Sequence, residues 1–169
     1  MDLKFTPPQT QPPGTLAEIL KICNSQLVSS NPLIWIPEVT DWERFDFDVY
    51  RNPDTVGDCT FLTWEDKQLL GFASFDPRPR PVYGLIGHNC ILPEFQNRGA
   101  GKAQILEVLR QFKQREIQSA RVSTLDHPFF QPAIQMYIAC GFKATESQPW
   151  PPSPDFMMIH FERNVEDTH

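Results

Sequence analysis

The sequence has no apolar run long enough to span a membrane. Its opening MDLKFTPPQT has neither the basic start nor the apolar stretch of a secretory leader, so the expected compartment is the cytoplasm. It also has no long basic cluster. Fifteen Lys plus Arg stand against 21 Asp plus Glu, for a net charge of -6. That balance argues against a nucleic-acid backbone as the main ligand. Cys23, Cys59, Cys90 and Cys140 are widely separated, with no C-x-x-C pair and no metal-finger spacing. They are expected to be reduced, mainly buried thiols, and no metal site is expected. Internal repeats and long disordered linkers are missing too. What remains is 169 residues of ordinary globular composition, 40% hydrophobic and 21% charged, which suits one domain with a sizeable core.

Proline, by contrast, is abundant at seventeen residues, about twice average usage. Proline lacks a backbone donor and fixes φ, so its clusters TPPQTQPPG, DPRPRPVYG and QPWPPSPD read as loops. Between them, Leu16, Ile19, Leu20, Cys23 and Leu27 fall at helical spacing. The aromatic-rich stretch from Ser29 to Asp58 reads as a surface helix or a substrate-side loop. CTFLTWED and QLLGFASFD, joined around Asp66-Lys67, predict a β-hairpin. VYGLIGHNCIL predicts a third strand, and Ala103, Ile105, Leu106, Val108, Leu109 and Phe112 mark a helix after it. SARVSTLD predicts a strand. QPAIQMYIACGF predicts a helix with Pro132 near its start and Gly141 as its stop. DFMMIHFER predicts a final strand. Alternating strands and helices after a hairpin give a mixed α/β, or α+β, class around one sheet.

The junction EFQNRGAGKAQILEVL is where chemistry is most legible. A Walker A loop would need a glycine where Gln96 stands and a hydroxyl where Ala103 stands, so that pattern fails twice. A dinucleotide fingerprint would need a third glycine where Gln104 stands. The pattern Q/R-x-x-G-x-G/A is met by Gln96-Asn97-Arg98-Gly99-Ala100-Gly101. Glycines let the backbone turn its N–H groups toward a ligand, and the following helix adds the positive end of its dipole. Arg98 and Lys102 add charge, and together these groups suit a pyrophosphate. The bland alternative is a glycine-rich turn with no ligand.

NCILPEFQNRGAGKAQILEVL resembles the cofactor-binding segment of the GNAT superfamily of N-acetyltransferases. Downstream, AIQMYIACGF is similar to the A-x-x-x-Y-x-x-x-G-F segment of that family. The likeness covers roughly residues 59 to 163 and implies a single GNAT-like domain over 1–169. Residues 1–56 would form an N-terminal helical, substrate-side region, and 57–163 the cofactor-binding core. The implied fold is a central mixed sheet with antiparallel N-terminal strands and a splayed parallel pair, flanked by helices.

The resemblance also implies acetyl-CoA as co-substrate and an amine, on a small molecule or on a peptide or protein, as acceptor. Backbone groups around Asn89, Cys90 and Ile91 would pair with the pantetheine arm and polarise the thioester carbonyl. The backbone of Asn97, Arg98, Gly99, Ala100, Gly101 and Lys102 would cradle the pyrophosphate, with Gln96 shaping the turn. Tyr137 would donate a proton to the departing thiolate. Many relatives carry a glutamate base on the strand before or after the loop, and neither strand has one here. His88 is the nearest titratable side chain on the first strand, with Asp126 and His127 just past the second. Phe130 stands where some relatives carry a cofactor-binding asparagine. Trp35, Trp42, Phe45, Phe47 and Trp150 would either line an acceptor pocket or pack the core. Asp41, Glu43, Asp46 and Asp48 would either attract a cation or face solvent. The departures leave room for a non-catalytic acyl-CoA-binding or regulatory module on the same fold. Dimers are common among relatives, and that analogy extends to a homodimer here.

Overall fold

The structure is a computed structural model and describes residues 2–166. Seven strands form one mixed sheet in the order β1-β2-β3-β4-β5-β7-β6. The strands are β1 (Leu3–Thr6), β2 (Thr60–Glu65), β3 (Gln68–Asp76), β4 (Tyr83–Ile91), β5 (Ser119–Leu125), β6 (Lys143–Trp150) and β7 (Ser153–Asn164). The helices are α1 (Thr15–Cys23), α2 (Ser25–Ser30), α3 (Pro32–Arg51), α4 (Ala100–Gln114) and α5 (Gln131–Ala139). β4 and β5 pair in parallel; the registers of β1–β2, β2–β3, β5–β7 and β6–β7 are antiparallel. The expected hairpin is present, and Asp66 adopts φ +53° at its turn. Chain contacts divide the protein into two compact units, described separately. One is the chain up to Ser74 with His88–Gln104; the other is Phe75–Gly87 with the chain from Ile105 onward.

In the first unit, α1 and α3 cover one face of β2 and β3. Leu16, Ile19 and Leu20 of α1, Trp42 and Val49 of α3, Leu62 of β2 and Phe72 of β3 form a buried cluster. The continuous helical pattern expected from Leu16 to Leu27 is broken at Asn24, whose backbone leaves helical geometry and divides α1 from α2. The ambiguous aromatic stretch is largely α3, a helix of 20 residues that runs through Pro37. Proline there has no N–H to donate. The carbonyl it leaves behind is that of Leu33, an exposed residue near the helix start, where water can replace the lost bond.

Asp46 holds this unit together from inside α3. It is 5% exposed, and its carboxylate accepts N–H groups from Gly14 at 2.7 Å, Leu16 at 2.9 Å and Ala17 at 3.2 Å. Those are unpaired donors of the first turn of α1, so an acid distant in sequence caps that helix.

In the second unit, Ile105, Val108, Leu109 and Phe112 of α4 are buried at helical spacing. Phe112 packs edge-on to Phe75 with ring centroids 5.4 Å apart. Its ring lies so close to Gly84 that a Cβ there would come within 2.5 Å of it. Burial of a side chain of that size contributes about 2–3 kcal/mol. β4 and β5 pair only at Tyr83–Ser119, Gly84–Ala120 and Leu85–Arg121, while β5 runs on to Leu125 against β7. Helix α5 ends at Gly141, φ +82°, with Phe142 N–H bonded to Tyr137 O at 3.0 Å. This six-to-one closure is the expected glycine stop.

Two strands lie where the sequence predicts none. β1 is four residues long, and β6 is exposed from Lys143 to Pro149, burying only Trp150. β1, Leu-Lys-Phe-Thr, does alternate, but over only four residues before a proline cluster; β6 carries no alternating apolar pattern.

Candidate functional site

The segment from Pro93 to Gln104 belongs to the first unit. A 3-10 turn, Pro93–Phe95, leads into an exposed loop, and α4 begins at Ala100. Asn97 takes φ +60° and Gly99 φ +89°, both in the left-handed region. A Cβ built on Gly99 would meet nothing within 4 Å, so one side of the loop is open. Ala103 N–H bonds to Gly99 O at 3.0 Å. The earlier N–H groups of Ala100, Gly101 and Lys102 then have no carbonyl behind them within the helix. Arg98 and Lys102 are exposed beside them, and the Arg98 guanidinium sits 5.7 Å from the Phe95 ring. Free helix N–H groups, left-handed turn geometry and two cations make a seat for an anion. The donor set therefore fits a pyrophosphate.

Side-chain amides tie this loop to the end of β4. Gln96 Nε2 donates to Ile91 O at 2.8 Å, and Asn89 Nδ2 reaches Gly101 O at 3.5 Å. From α4, Gln104 Nε2 donates to Thr63 Oγ1 at 2.8 Å and reaches Cys90 O at 3.4 Å. Asn89, Cys90, Ile91, Gln96 and Gly101, named from sequence, are thus brought together. Gln104 and Thr63 were not named as site residues. The one available signal was a polar residue beside Ile105 on the apolar arc of α4.

Two titratable side chains of β4, His88 and Cys90, are held in their neutral forms. The His88 ring packs against Phe45 at 4.7 Å and Phe72 at 6.1 Å, while His88 N–H donates to Ser74 Oγ at 2.9 Å. Burial among these rings lowers the imidazole to a pKa of about 4. It is therefore neutral at physiological pH, free to accept a proton but with little driving force. The Cys23 thiol beside Cys90, and then burial, push the Cys90 thiol well above the usual range. Cys23 Sγ itself donates to Ile91 O at 3.3 Å. The four cysteines are thiols outside any disulfide; Cys140 is buried, while Cys23, Cys59 and Cys90 are half-buried rather than buried as expected.

For the acceptor-side candidates the open choices close mostly toward packing. Trp35, Trp42 and Trp150 are buried, and Phe45 packs on His88, but Phe47 is 60% exposed. Asp46 is the cap of α1 and not a free anion. Glu43 pairs with Lys21 at 2.6 Å, and Asp41 with Arg44 at 3.5 Å, both at the surface. Glu38, not singled out from sequence, has its carboxyl raised by burial and then by the Asp41 carboxylate.

In the second unit, Tyr137 lies in α5 and is 5% exposed. Its ring is 5.8 Å from Phe142 and 6.3 Å from Phe161. Asp126 accepts from Gln131 Nε2 at 3.2 Å. His127 Nδ1 accepts the Phe129 N–H at 3.1 Å and caps the 3-10 turn Pro128–Phe130. Phe130 packs edge-on to Phe129 at 5.1 Å, so its position serves an aromatic contact. Among the described residues no group of three His, Cys, Asp or Glu could hold a metal ion, and no helix is long and apolar enough to cross a membrane.

The loop–helix junction and mixed sheet define an acetyltransferase fold of the GNAT type. The model of the acetyltransferase (GNAT) family matches residues 25–142, and the chain belongs to that family. No curated protein sequence matches the chain. Solved structures share its fold at low identity. A Desulfovibrio desulfuricans protein described as of the GNAT family is 17% identical, with a TM-score of 0.73, covering 97% of this chain and 99% of its own. The Salmonella typhimurium protein yncA, solved with acetyl-CoA, is 13% identical, with a TM-score of 0.67 and coverage of 98% and 95%. An N-acetyltransferase from Staphylococcus aureus Mu50 is 15% identical, with a TM-score of 0.64 and coverage of 98% and 100%.

Proposed function

We propose that this chain is an acetyl-CoA-dependent N-acetyltransferase acting on a primary amine of a small molecule or of a peptide or protein. The observation that carries the reading is the left-handed turn at Asn97 and Gly99 feeding the free N–H groups at the start of α4. Such a terminus binds a pyrophosphate through backbone dipoles, which needs no particular side chain. Acetyl-CoA supplies the acetyl group as an activated thioester. The chain's own contributions are to hold the pyrophosphate on residues 97–102 and to polarise the thioester carbonyl with backbone N–H groups near Asn89, Cys90 and Ile91. By family resemblance, the neutral amine would add to the thioester carbon to form the C–N bond and lose its extra proton to water. As the C–S bond then breaks, Tyr137 would give its hydroxyl proton to the departing sulfur and regain one from water. His88 is proposed as a neutral group on the amine side, able to accept a hydrogen bond at working pH.

The low basicity of His88 favours a second reading, a module that binds acyl-CoA without turnover. Calorimetric titration with acetyl-CoA, followed by thiol release over a broad amine panel, tests both. Binding with turnover on some amine supports the enzyme. Binding without turnover on any amine supports the module, and no binding at millimolar acetyl-CoA refutes both.

A further inference from the structure

Gln104 is the fifth residue of α4 and is fully buried, yet its Oε1 has no hydrogen-bond partner. A buried amide carbonyl without a donor is a standing cost to the fold. Its orientation is not free, because only Nε2 can donate to the Cys90 carbonyl. The amide joins α4 to β2 at Thr63 and to β4 at Cys90. Thr63, also fully buried, lies beside the register shift of β2 against β3. Opposite it is Gly71, where a Cβ would fall 2.0 Å from Cys90 O. The Cys90 carbonyl therefore points at β3 and occupies the room a side chain would need. Leu92 N–H bonds to Leu70 O at 2.8 Å, so this parity of β4 faces β3. Along a strand the N–H and C=O of successive residues turn to opposite edges. With Cys90 held toward β3, the backbone N–H and C=O of Asn89 and the N–H of Ile91 are directed away from it.

We propose that Gln104 is a positioning residue that locks this parity, so that the Asn89 and Ile91 amides face the acyl-pantetheine arm. This rests on the acetyl-CoA reading above and assigns the helix that begins the anion seat a second task at the thioester end. The fold accepts an unpaired carbonyl because the other half of the same amide sets the strand.

The test uses Gln104→Leu with Thr63→Val, which removes both polar partners and leaves an apolar pair that the fold accepts at little cost. Gln104→Met, close to isosteric and with Thr63 intact, provides a second variant. Each is titrated with acetyl-CoA and with ADP, which carries a pyrophosphate and no pantetheine arm, and each is melted. The expected result is about a tenfold weaker acetyl-CoA affinity, less than about a twofold change for ADP, and no fall in unfolding midpoint for the double variant. Equal weakening of both ligands would assign Gln104 to general support of the loop and overturn the proposal, as would unchanged acetyl-CoA affinity in both variants. If the native protein binds neither ligand, the acetyl-CoA reading itself falls and takes this one with it.

Discussion

One methyl group at position 99 separates the conformational cost of the loop from its ligand cost. Gly99 sits at φ +89° with nothing within 4 Å of a Cβ, so Gly99→Ala meets backbone strain and no clash. Gly14 provides a matched control, at φ +98° and equally open, before α1 and outside the candidate site. An L-residue in this region costs roughly 1–2 kcal/mol. For a chain of this size that amounts to about 2–8 °C in unfolding midpoint. Both variants should therefore fold and lose stability alike. They should differ in binding, because the methyl at 99 projects into the space where the loop would receive a phosphate. Losing close contact with one or two N–H donors to a charged oxygen costs on the order of 1.5–3 kcal/mol, or at least a tenfold loss of acetyl-CoA affinity. Scanning calorimetry and isothermal titration on the two variants side by side make the measurement. Native affinity in Gly99→Ala, or an equal loss of affinity in Gly14→Ala, would refute the placement of the anion on the open face of Gly99.

Other expectations follow from single contacts. Asp46→Ala removes the two oxygens that accept three N–H groups at a buried helix start and should destabilise by about 3–5 kcal/mol in urea unfolding; a loss under about 1 kcal/mol would show that α1 does not depend on this cap. Asp46→Asn keeps one acceptor oxygen and should cost roughly half as much. His88 has a folded pKa of about 4 against 6.5 unfolded, so between those values only the unfolded chain binds the proton. Stability should fall as pH drops through that window, by up to about 3 kcal/mol near pH 4. His88→Phe should flatten the slope, and an unchanged profile would assign the acid sensitivity to other groups. Tyr137→Phe should lower turnover at least tenfold while leaving acetyl-CoA affinity within about twofold; unchanged turnover on an accepted amine would remove it as the proton donor.

The anion loop could be read directly because its requirements are local. Glycine at 99 and 101, cations at 98 and 102 and an amphipathic run behind them are neighbours in sequence. The stop at Gly141, the turn at Asp66 and the α4 face at Ile105, Val108, Leu109 and Phe112 follow from equally short-range rules of φ preference and periodicity. The aromatic stretch was ambiguous for the opposite reason. Whether Trp42 lines a pocket or packs a core depends on what faces it, and α1 and the β2–β3 face decide it. β6 escaped notice because an edge strand that buries only Trp150 needs no alternation.

The long-range polar contacts lay beyond any local rule. Asp46 looked like one of several surface acids until the start of α1 came to rest against it. Gln104 looked like a failed glycine position until Thr63 and Cys90 met it from two strands. His88 read from sequence as a titratable group on the strand, and the Phe45 and Phe72 rings that lower its pKa come from α3 and β3. Chain-local chemistry settles where a backbone can turn and which residues a helix will bury. Only the tertiary structure settles how far a buried group is desolvated and which distant donor it meets, and those two quantities set its charge and its task.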